Sequence, residues 1–273
     1  MSATATHLDV AGQFPVLERP GLVYLDSGAT SQKPQVVIDA IAEHYAHRNA
    51  NVHRGVYPLA VEATDAFEGA RESIAAWLGS TVKETVFTKN ATEAINLVAY
   101  AWGRSNVTAG DLIVLTHLEH HSNIVPWQIL AQATGAELAY VTLDDEGTLD
   151  LDVLGAHLAT GRVKLVACTH VSNVMGTITP IADIVRRAHA AGAVALVDGS
   201  QAVPQLPVHL PEIDADFYVW TAHKAYGPTR LRLLHRRPEQ LDDLPPFLSG
   251  GDMLSPVASD VSRCTAITWT YTT

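Results

Sequence analysis

The chain alternates short apolar runs with longer amphipathic segments from residue 85 onwards. Short runs rich in β-branched residues predict buried strands, and segments between them, such as residues 93–102 and 181–191, repeat their apolar positions at helical spacing. This alternation predicts an α/β fold with a largely parallel sheet that is covered by helices on both faces. The predicted strands are residues 85–87, 112–115, 138–141, 164–168, 194–197 and 217–220.

The residues before this alternation predict an arm and two helices. Residues 1–33 are expected to form an irregular arm with one extended piece at 22–26, and Pro34 suits the first turn of a helix that ends near residue 48. A polar loop at 49–58 separates it from a second helix at about 61–78. The apolar positions at helical spacing in the second helix are Phe67, Ala70, Ile74 and Trp77.

Composition narrows the classes of partner. The 273 residues are 47% hydrophobic, which is enough for a sizeable core, and the net charge of -11 argues against binding to nucleic acid or to an anionic membrane. The two cysteines, Cys168 and Cys264, form no Cys-x-x-Cys pair. No basic stretch followed by an apolar run opens the chain, and no apolar run reaches the ~20 residues of a membrane span. We therefore expect a cytoplasmic protein.

Two predicted strands end in residues with complementary chemistry. Lys224 follows the strand at 217–220, and Asp198 follows the strand at 194–197. A lysine in a cleft can form a Schiff base with a carbonyl, and an acid can hold a protonated pyridine nitrogen. Gln201 can hydrogen-bond a ring hydroxyl. Taken singly, such residues are more often structural, as a solvated lysine or an aspartate that caps a helix.

Three further strand ends carry polar residues. Small residues and a hydroxyl at 89–93 precede a helix, which suits a phosphate. His120 can stack on an aromatic ring or move a proton, and Asn173 can donate to a ring hydroxyl. The rival interpretation is a metal site made by His117, His120 and His121, but adjacent histidines do not readily share one metal and no carboxylate has a supporting spacing.

Five strand ends thus offer an amine, an acid and an anion site to one edge of the predicted sheet. Parallel sheets bind ligands at the carboxyl ends of their strands. Together the five ends supply every contact that pyridoxal 5′-phosphate (PLP) needs, which is much harder to obtain by chance than any one of them. The sequence therefore predicts a PLP site and no metal site.

The motifs at these strand ends resemble those of the class V aminotransferase family. The sequences DGSQA at 198–202 and TAHKAYGPT at 221–229 carry the resemblance, and they are most similar to cysteine desulfurases of the Suf and Csd type. The resemblance covers about residues 12–254. The other segments that agree are 24–34, 51–55, 119–127 and 169–177.

The resemblance implies a fold type I PLP enzyme that is active as a homodimer. Such an enzyme removes sulfur from L-cysteine, leaves alanine and an enzyme-bound persulfide, and passes the sulfur to an acceptor protein of iron–sulfur cluster assembly. Lys224 is implied to hold the cofactor and to move protons, His120 to stack on the ring, and Asp198 to pair with the ring nitrogen. The remaining implied cofactor contacts are Gln201 and Asn173 at the ring hydroxyl, and Ala91 (through its backbone), Thr92, Thr221 and His223 at the phosphate.

The resemblance also implies a division of the chain. Residues 34–254 are expected to form the PLP-binding large domain, after the arm at 1–33. Residues 255–273 have no clear periodicity and are expected to be an anomalous, disordered tail. The family's sulfur-accepting cysteine and the arginine for the substrate carboxylate lie in a small C-terminal domain. We expect this chain to stop before that domain and its desulfurase activity to be impaired.

Several positions depart from the family pattern. Cys168 lies in a predicted buried strand and is expected to be inert, and Cys264 matches no family cysteine. Ala222 replaces a glycine and adds a Cβ where close backbone passage or a positive φ is expected. Arg230 and Arg232 replace glycines in the strand that follows, and buried charges there require partners.

Two other functions stay open at this point. The chain could belong to a different class V enzyme, such as a selenocysteine or sulfoxide lyase, which need not store a persulfide. It could also be a truncated PLP-binding fragment without catalytic activity. For either enzyme, the small-molecule substrate is expected to be an amino acid, L-cysteine or an analogue.

Overall fold

The computed structural model describes residues 10–53, 55–229 and 231–236, together with Phe247 and residues 254–255 and 263–264. Nine strands occur in this part of the chain. They are β1 (Thr85–Thr88), β2 (Leu112–Thr116), β3 (Glu137–Val141), β4 (Val163–Thr169), β5 (Val194–Asp198), β6 (Phe217–Thr221), β7 (Arg232–Arg236), β8 (Leu254–Ser255) and β9 (Arg263–Cys264).

The helices of the described residues alternate with the strands. They are α1 (Gln35–Glu43), α2 (Pro58–Trp77), α3 (Ala91–Leu97), α4 (Arg104–Asn106), α5 (Val125–Thr134), α6 (Leu151–Leu158), α7 (Ile181–Ala190) and α8 (Leu210–Ile213). Two π-helical turns, His44–Arg48 and Val98–Gly103, continue α1 and α3 without a break.

Local sequence signals account for several helix ends. Asn90 caps α3 by accepting a hydrogen bond from the Glu93 amide at 2.6 Å. The Asp150 carboxylate caps α6 in the same way. Pro58 opens α2, where its missing N–H costs nothing, and Gly135 ends α5 in the left-handed conformation with φ 78°.

The strands β1–β7 form one sheet in the order β1-β7-β6-β5-β4-β2-β3. β7 runs antiparallel to both of its neighbours, and the other strands are parallel to one another. All parallel strands therefore point their carboxyl ends to the same edge. β8 and β9 pair separately as a short antiparallel ribbon.

Two apolar layers cover the sheet, one on each face. Alternate residues of one strand belong to different layers, as Leu165 and Val166 of β4 do. The first layer packs the sheet against α6 and α7, and the second packs it against α3, its π-helical continuation and α5. The predicted α/β fold with both faces covered is confirmed.

Every predicted strand is present to within one or two residues at each end. The predicted helices before residue 85 are also present, the first of them as α1 plus a π-helical turn. Residues 22–26 of the arm pair with no strand in the described part of the chain, and short 3-10 turns at Ala11–Gln13 and Pro15–Glu18 precede them.

The buried face of α2 differs from the expected one. Trp77 is 57% exposed, whereas Arg71 is buried in the face that packs on the sheet. The Arg71 guanidinium lies 5.2 Å from the ring centres of both Phe67 and Phe87, and its Nε is 3.3 Å from the Glu68 carboxylate. These contacts offset only part of the cost of burying the charge, because Nε and Nη2 have no hydrogen-bond partner among the described residues. Burial lowers the pKa of Arg71, and the charge of Glu68 acts in the opposite direction.

α1 has an apolar sequence and buries none of its residues. Val36 is 69% exposed on α1, and Tyr45 is 70% exposed on the π-helical turn that follows. Among the described helices, none is both long enough and apolar enough to cross a membrane.

Candidate active site

The carboxyl edge of the sheet surrounds a cavity of about 600 Å³. Residues that follow β1, β2, β4, β5 and β6 line this cavity together with part of the N-terminal arm. Eight of the nine predicted site residues are among them. These are Ala91, Thr92, His120, Asn173, Asp198, Thr221, His223 and Lys224.

Lys224 lies at the end of a 3-10 turn, Ala222–Lys224, that directly follows β6. The Ala222 carbonyl closes the turn by accepting hydrogen bonds from the amides of Ala225 and Gly227, both at 2.9 Å. The left-handed residue of this segment is Tyr226, with φ 63°. Of the two alternatives expected at Ala222, the positive φ falls instead on Tyr226, whereas the close backbone passage is present, because a Cβ on Gly227 would lie 3.0 Å from the Ala222 Cβ.

Asp198 ends β5 and is buried at the cavity wall. Its Oδ1 accepts a hydrogen bond from the Ser200 amide at 3.0 Å. Gly199 between them lies against the Tyr218 ring, so a Cβ at this position would collide with Tyr218. The glycine thus allows the carboxylate to follow the strand directly into the cavity.

Two buried hydroxyl groups in this cavity have no hydrogen-bond partner in the described part of the chain. They are Thr221 Oγ1 and Ser200 Oγ, on residues that are 5% and 8% exposed. An unpartnered buried hydroxyl is costly unless a ligand satisfies it. Both groups therefore fit an oxygen-rich ligand such as a phosphorylated pyridine. Sequence reasoning missed Ser200, because only burial distinguishes it from an ordinary loop serine.

Ala91 and Thr92 form the first turn of α3, at the cavity wall. Asn90 and Glu93 are occupied by capping contacts, the second of which joins the Glu93 carboxylate to the Lys89 amide at 2.6 Å. The cap fixes the direction in which the first amides of the helix point. These amides and the Thr92 hydroxyl are groups that can bind a phosphate.

His120, in the segment after β2, also lines the cavity. Its Nδ1 accepts a hydrogen bond from the Ser122 amide at 3.2 Å and lies 2.8 Å from Ser122 Oγ. Because an amide N–H can only donate, Nδ1 is an acceptor and the neutral ring carries its hydrogen on Nε2. A short turn thus sets both the tautomer and the orientation of the imidazole.

Glu119 supports this turn from behind, and sequence reasoning gave it no role. Its carboxylate accepts hydrogen bonds from the Thr116 hydroxyl at 2.5 Å, the Asn123 amide group at 2.6 Å and the Thr169 backbone at 2.8 Å. The Trp127 indole donates to Asn123 Oδ1 at 2.9 Å, and this fixes the Asn123 amide with its nitrogen towards Glu119.

The environment of Glu119 favours its neutral form. Burial raises the pKa of this carboxyl to about 8 against the three hydrogen bonds that lower it, and the negative charge of Asp198 adds to the rise. The signal that could have identified Glu119 is its position directly before His120, in the segment that follows β2. Its three donors, however, come from β2, β4 and the turn at 121–123, which only the fold brings together.

Gln201 is the one predicted site residue that does not line the main cavity. Its Nε2 donates to the Gly28 carbonyl at 2.8 Å, and its Oε1 accepts from Gln205 at 3.2 Å. Gln201 lines a neighbouring cavity of about 430 Å³, and Asn173 and Gly28 belong to both cavities. The side-chain amide of Gln201 is therefore held at the boundary between the two cavities.

Cys168 is fully buried in β4, as the sequence predicts. Burial raises the pKa of its thiol well above the ordinary value, and the carboxylates of Glu119 and Asp198 act in the same direction. A thiol that is neutral and inaccessible is a poor nucleophile. His170 Nδ1, directly after β4, lies 2.9 Å from the Tyr218 hydroxyl of β6, and burial lowers the pKa of His170 and raises that of Tyr218.

Three sequence expectations fall outside the described residues. They concern Arg230 and the side chains of Arg232 and Cys264. For the rejected metal site, the described part of the chain contains no group of three His, Cys, Asp or Glu residues that could hold a metal ion. His120 is instead engaged with Ser122.

The fold is that of the fold type I PLP-dependent enzymes. The class-V aminotransferase family model matches residues 23–273, and the chain belongs to this family. The match includes residues 255–273, the segment expected from its lack of periodicity to be a tail. Class-V aminotransferases and cysteine desulfurases are PLP-dependent enzymes.

Several similar proteins of known name are cysteine desulfurases. A probable cysteine desulfurase of Mycolicibacterium paratuberculosis is 45% identical over 93% of this chain, and a cysteine desulfurase of an Enterobacter species is 47% identical over 91%. The crystal structure of the cysteine desulfurase CsdA from Escherichia coli superposes with a TM-score of 0.86 at 38% identity over 95% of this chain. The chain spans 38%, 62% and 65% of the lengths of these three proteins.

Proposed function

We propose that this chain binds PLP in the main cavity through Lys224 and that residues 34–254 form the cofactor-binding domain. The observation that carries the proposal is the meeting of three groups around one cavity: the Lys224 amine, the Asp198 carboxylate and the unpartnered Thr221 hydroxyl. The amine can form a Schiff base with the cofactor aldehyde, the carboxylate can pair with the pyridine nitrogen, and the hydroxyl can donate a hydrogen bond to the phosphate. Asp198 ends β5, whereas Thr221 and Lys224 lie at the end of β6 and in the turn after it, so the parallel sheet brings the acid to the same edge as the amine and the hydroxyl.

Each of the other site residues has a defined task in this proposal. The first amides of α3, at Ala91 and Thr92, bind the phosphate together with Thr221 and His223. His120 packs against the ring face. Asn173 contacts the ring hydroxyl, and Gln201 acts from the adjoining cavity, where it already holds the arm.

PLP, when bound, withdraws electrons from the bonds at the Cα of an amino acid. The Asp198 carboxylate keeps the pyridine nitrogen protonated, which sustains this withdrawal. Lys224 would hold the cofactor and would move protons at the substrate Cα. His120 holds a proton on Nε2 in the neutral ring and can deliver it to the substrate.

We propose that the activity is cysteine desulfuration, with L-cysteine as substrate. The reaction converts L-cysteine and an enzyme thiol into L-alanine and an enzyme persulfide, so no external oxidant or reductant is needed. The names of the similar proteins support this activity. Cys168 is unsuited to accept the sulfur, because its thiol is buried and its pKa is raised.

We further propose that the protein works as a cytoplasmic homodimer and passes sulfur to an acceptor protein of iron–sulfur cluster assembly. The exposed apolar residues of α1 and of the turn after it support self-association, since large exposed apolar groups mark interaction surfaces. The negative net charge of -11 favours protein and small-molecule partners over nucleic acids.

The cofactor proposal is tested by adding PLP to the purified chain and reducing the complex with borohydride. We expect the absorbance of a Schiff base, and peptide mass spectrometry should place the reduced adduct on Lys224. The Lys224→Ala variant should lose the absorbance, whereas Lys164→Ala, at an exposed position of β4, should keep it. An adduct on another lysine would contradict the assignment. Alanine release from L-cysteine, compared with release from selenocysteine and cysteine sulfinate, tests the activity.

A further inference from the structure

The N-terminal arm holds the peptide group that precedes Lys224. The His223 carbonyl lies 3.0 Å from the Ser31 amide, 3.0 Å from the Ser31 hydroxyl, 2.8 Å from the Lys33 ammonium and 3.3 Å from the Thr30 hydroxyl. A carbonyl oxygen has two lone pairs, so these four donors more than satisfy its capacity to accept hydrogen bonds. The residues involved are about 190 positions apart in sequence.

The same arm also holds the chain after Lys224. The Tyr226 amide donates to Ser31 Oγ at 2.9 Å, and Tyr226 has the left-handed conformation that lets the chain turn back. Ser31 is only 4% exposed, so water does not compete for these contacts. Lys33 also holds Ser31 in place, because its ammonium group donates to the Ser31 carbonyl at 2.6 Å. Ser31 therefore contacts the chain on both sides of Lys224.

The arm is itself anchored, so it can serve as a support. The Tyr24 hydroxyl donates to the Thr30 carbonyl at 2.6 Å, and Gln201 donates to the Gly28 carbonyl at 2.8 Å. Thr30 Oγ1 also lies 3.0 Å from Nδ1 of the His223 ring. The contact orients the imidazole that lines the cavity next to Lys224.

We propose that Thr30, Ser31 and Lys33 are positioning residues that fix the backbone on both sides of Lys224 and so hold its amine at the cofactor aldehyde. The proposal rests on the assignment of Lys224 as the cofactor lysine. Without these contacts the turn after β6 can adopt other conformations, and the fraction of molecules with a correctly placed amine falls. The apparent affinity for an aldehyde ligand falls by the same factor.

A comparison of two ligands separates positioning of the amine from general stability of the cavity. PLP binds through its phosphate, its ring and the Lys224 amine, whereas pyridoxine 5′-phosphate has no aldehyde and binds without that amine. In Lys33→Met we expect PLP affinity to fall by about tenfold, the scale of a lost hydrogen bond to a charged group, and pyridoxine 5′-phosphate affinity to change by less than about threefold. Lys83→Met, at an exposed turn, is the matched control and should bind both ligands like the unaltered chain.

Thr30 provides a second, isosteric test. Thr30→Val removes the hydroxyl that contacts the His223 ring and carbonyl, and it should weaken PLP binding by about threefold to tenfold more than pyridoxine 5′-phosphate binding, because only PLP depends on the Lys224 amine. Thr30→Ser keeps the hydroxyl and should restore binding. Melting of the cofactor-free variants is measured in parallel, so that any loss of folded protein is known.

The outcomes are distinguishable. If the unaltered chain forms no PLP adduct on Lys224, the proposed function fails and the positioning proposal fails with it. If that adduct forms but Lys33→Met binds PLP normally, or loses equal affinity for both ligands, only the positioning proposal is overturned. A selective loss for PLP together with rescue by Thr30→Ser supports it.

Discussion

At the scale of one residue, Ser200 shows how a binding-site side chain can lower the stability of the folded chain when no ligand is bound. Its hydroxyl is buried without a partner among the described residues, and it lies at the wall of the main cavity. Such a group costs stability until a ligand accepts or donates a hydrogen bond. The cofactor-free chain therefore bears an energetic cost that PLP, bound as proposed above, would remove.

Ser200→Ala should accordingly have opposite effects on the two states. We expect the cofactor-free variant to be more stable by about 1 kcal/mol, and its PLP affinity to fall by about threefold to tenfold. Urea unfolding without ligand and a PLP titration measure the two effects. Ser73→Ala, on the exposed face of α2, is the control and should change neither by a comparable amount. A Ser200→Ala variant that is less stable without ligand would contradict this explanation.

Glu119 is a second residue that should affect stability, in this case through the protonation of its carboxyl group. The carboxyl retains its proton to a higher pH in the folded chain than its ordinary value near 4.5, because burial raises the pKa to about 8. Its contribution to the free energy of unfolding is therefore greatest in acid and falls as the pH rises from about 5 to about 8. A glutamine side chain at this position would not titrate.

The free energy of unfolding of the Glu119→Gln variant should thus increase relative to that of the unaltered chain as the pH rises from 5 to 8. Urea unfolding of both proteins at several pH values measures the difference, and the exposed Glu146→Gln is the control. A difference that stays constant over this range would show that Glu119 titrates normally.

At the scale of elements, close packing explains a glycine that sequence reasoning did not single out. Gly103 ends the π-helical turn after α3, and a Cβ there would lie 2.5 Å from Leu130 Cδ2 of α5. Gly155 lies inside α6, where a Cβ would meet no atom within 4 Å. Two helical glycines therefore have opposite tolerance for a side chain.

We expect Gly103→Ala to lower the free energy of unfolding by about 1–3 kcal/mol, because Leu130 must move in a packed layer. Gly155→Ala should raise it by about 0.5–1 kcal/mol, because alanine has the higher helix propensity. Chemical denaturation of the two variants checks both signs. Equal effects at the two positions would contradict the packing argument.

The strands and the identity of the strand-end residues could be predicted because they depend on local sequence. The run at 194–197 followed by Asp198 is readable without any long-range contact. The buried face of α2 could not be predicted, since Arg71 is accommodated by Phe87 of a different element. The antiparallel direction of β7 and the position of Gln201 behind Gly28 likewise depend on contacts between distant parts of the chain.

At the scale of the whole molecule, α1 presents apolar side chains without burying them. Val36, Ile41 and Tyr45 are all exposed on α1 and the turn after it. A helix of this composition is normally stabilised by packing rather than by propensity. We infer that this surface is covered when the protein self-associates.

Sedimentation equilibrium should then give about twice the chain mass of 29.3 kDa. Val36→Asp and Tyr45→Asp should increase the fraction of monomer, because each places a charge in an apolar contact. Ile129→Asp, on the exposed face of α5, is the control for adding a surface charge. A mass that equals one chain at high protein concentration would exclude self-association of this chain.

The contacts between the arm and the Lys224 turn have a consequence for biosynthesis. Thr30 emerges from the ribosome long before His223, so the two cannot meet until most of the sheet has been synthesised. Contacts between such distant residues form late, after the entropy of closing a long loop has been overcome. Capture of the vitamin B6 cofactor would therefore report that the nascent chain has completed its fold.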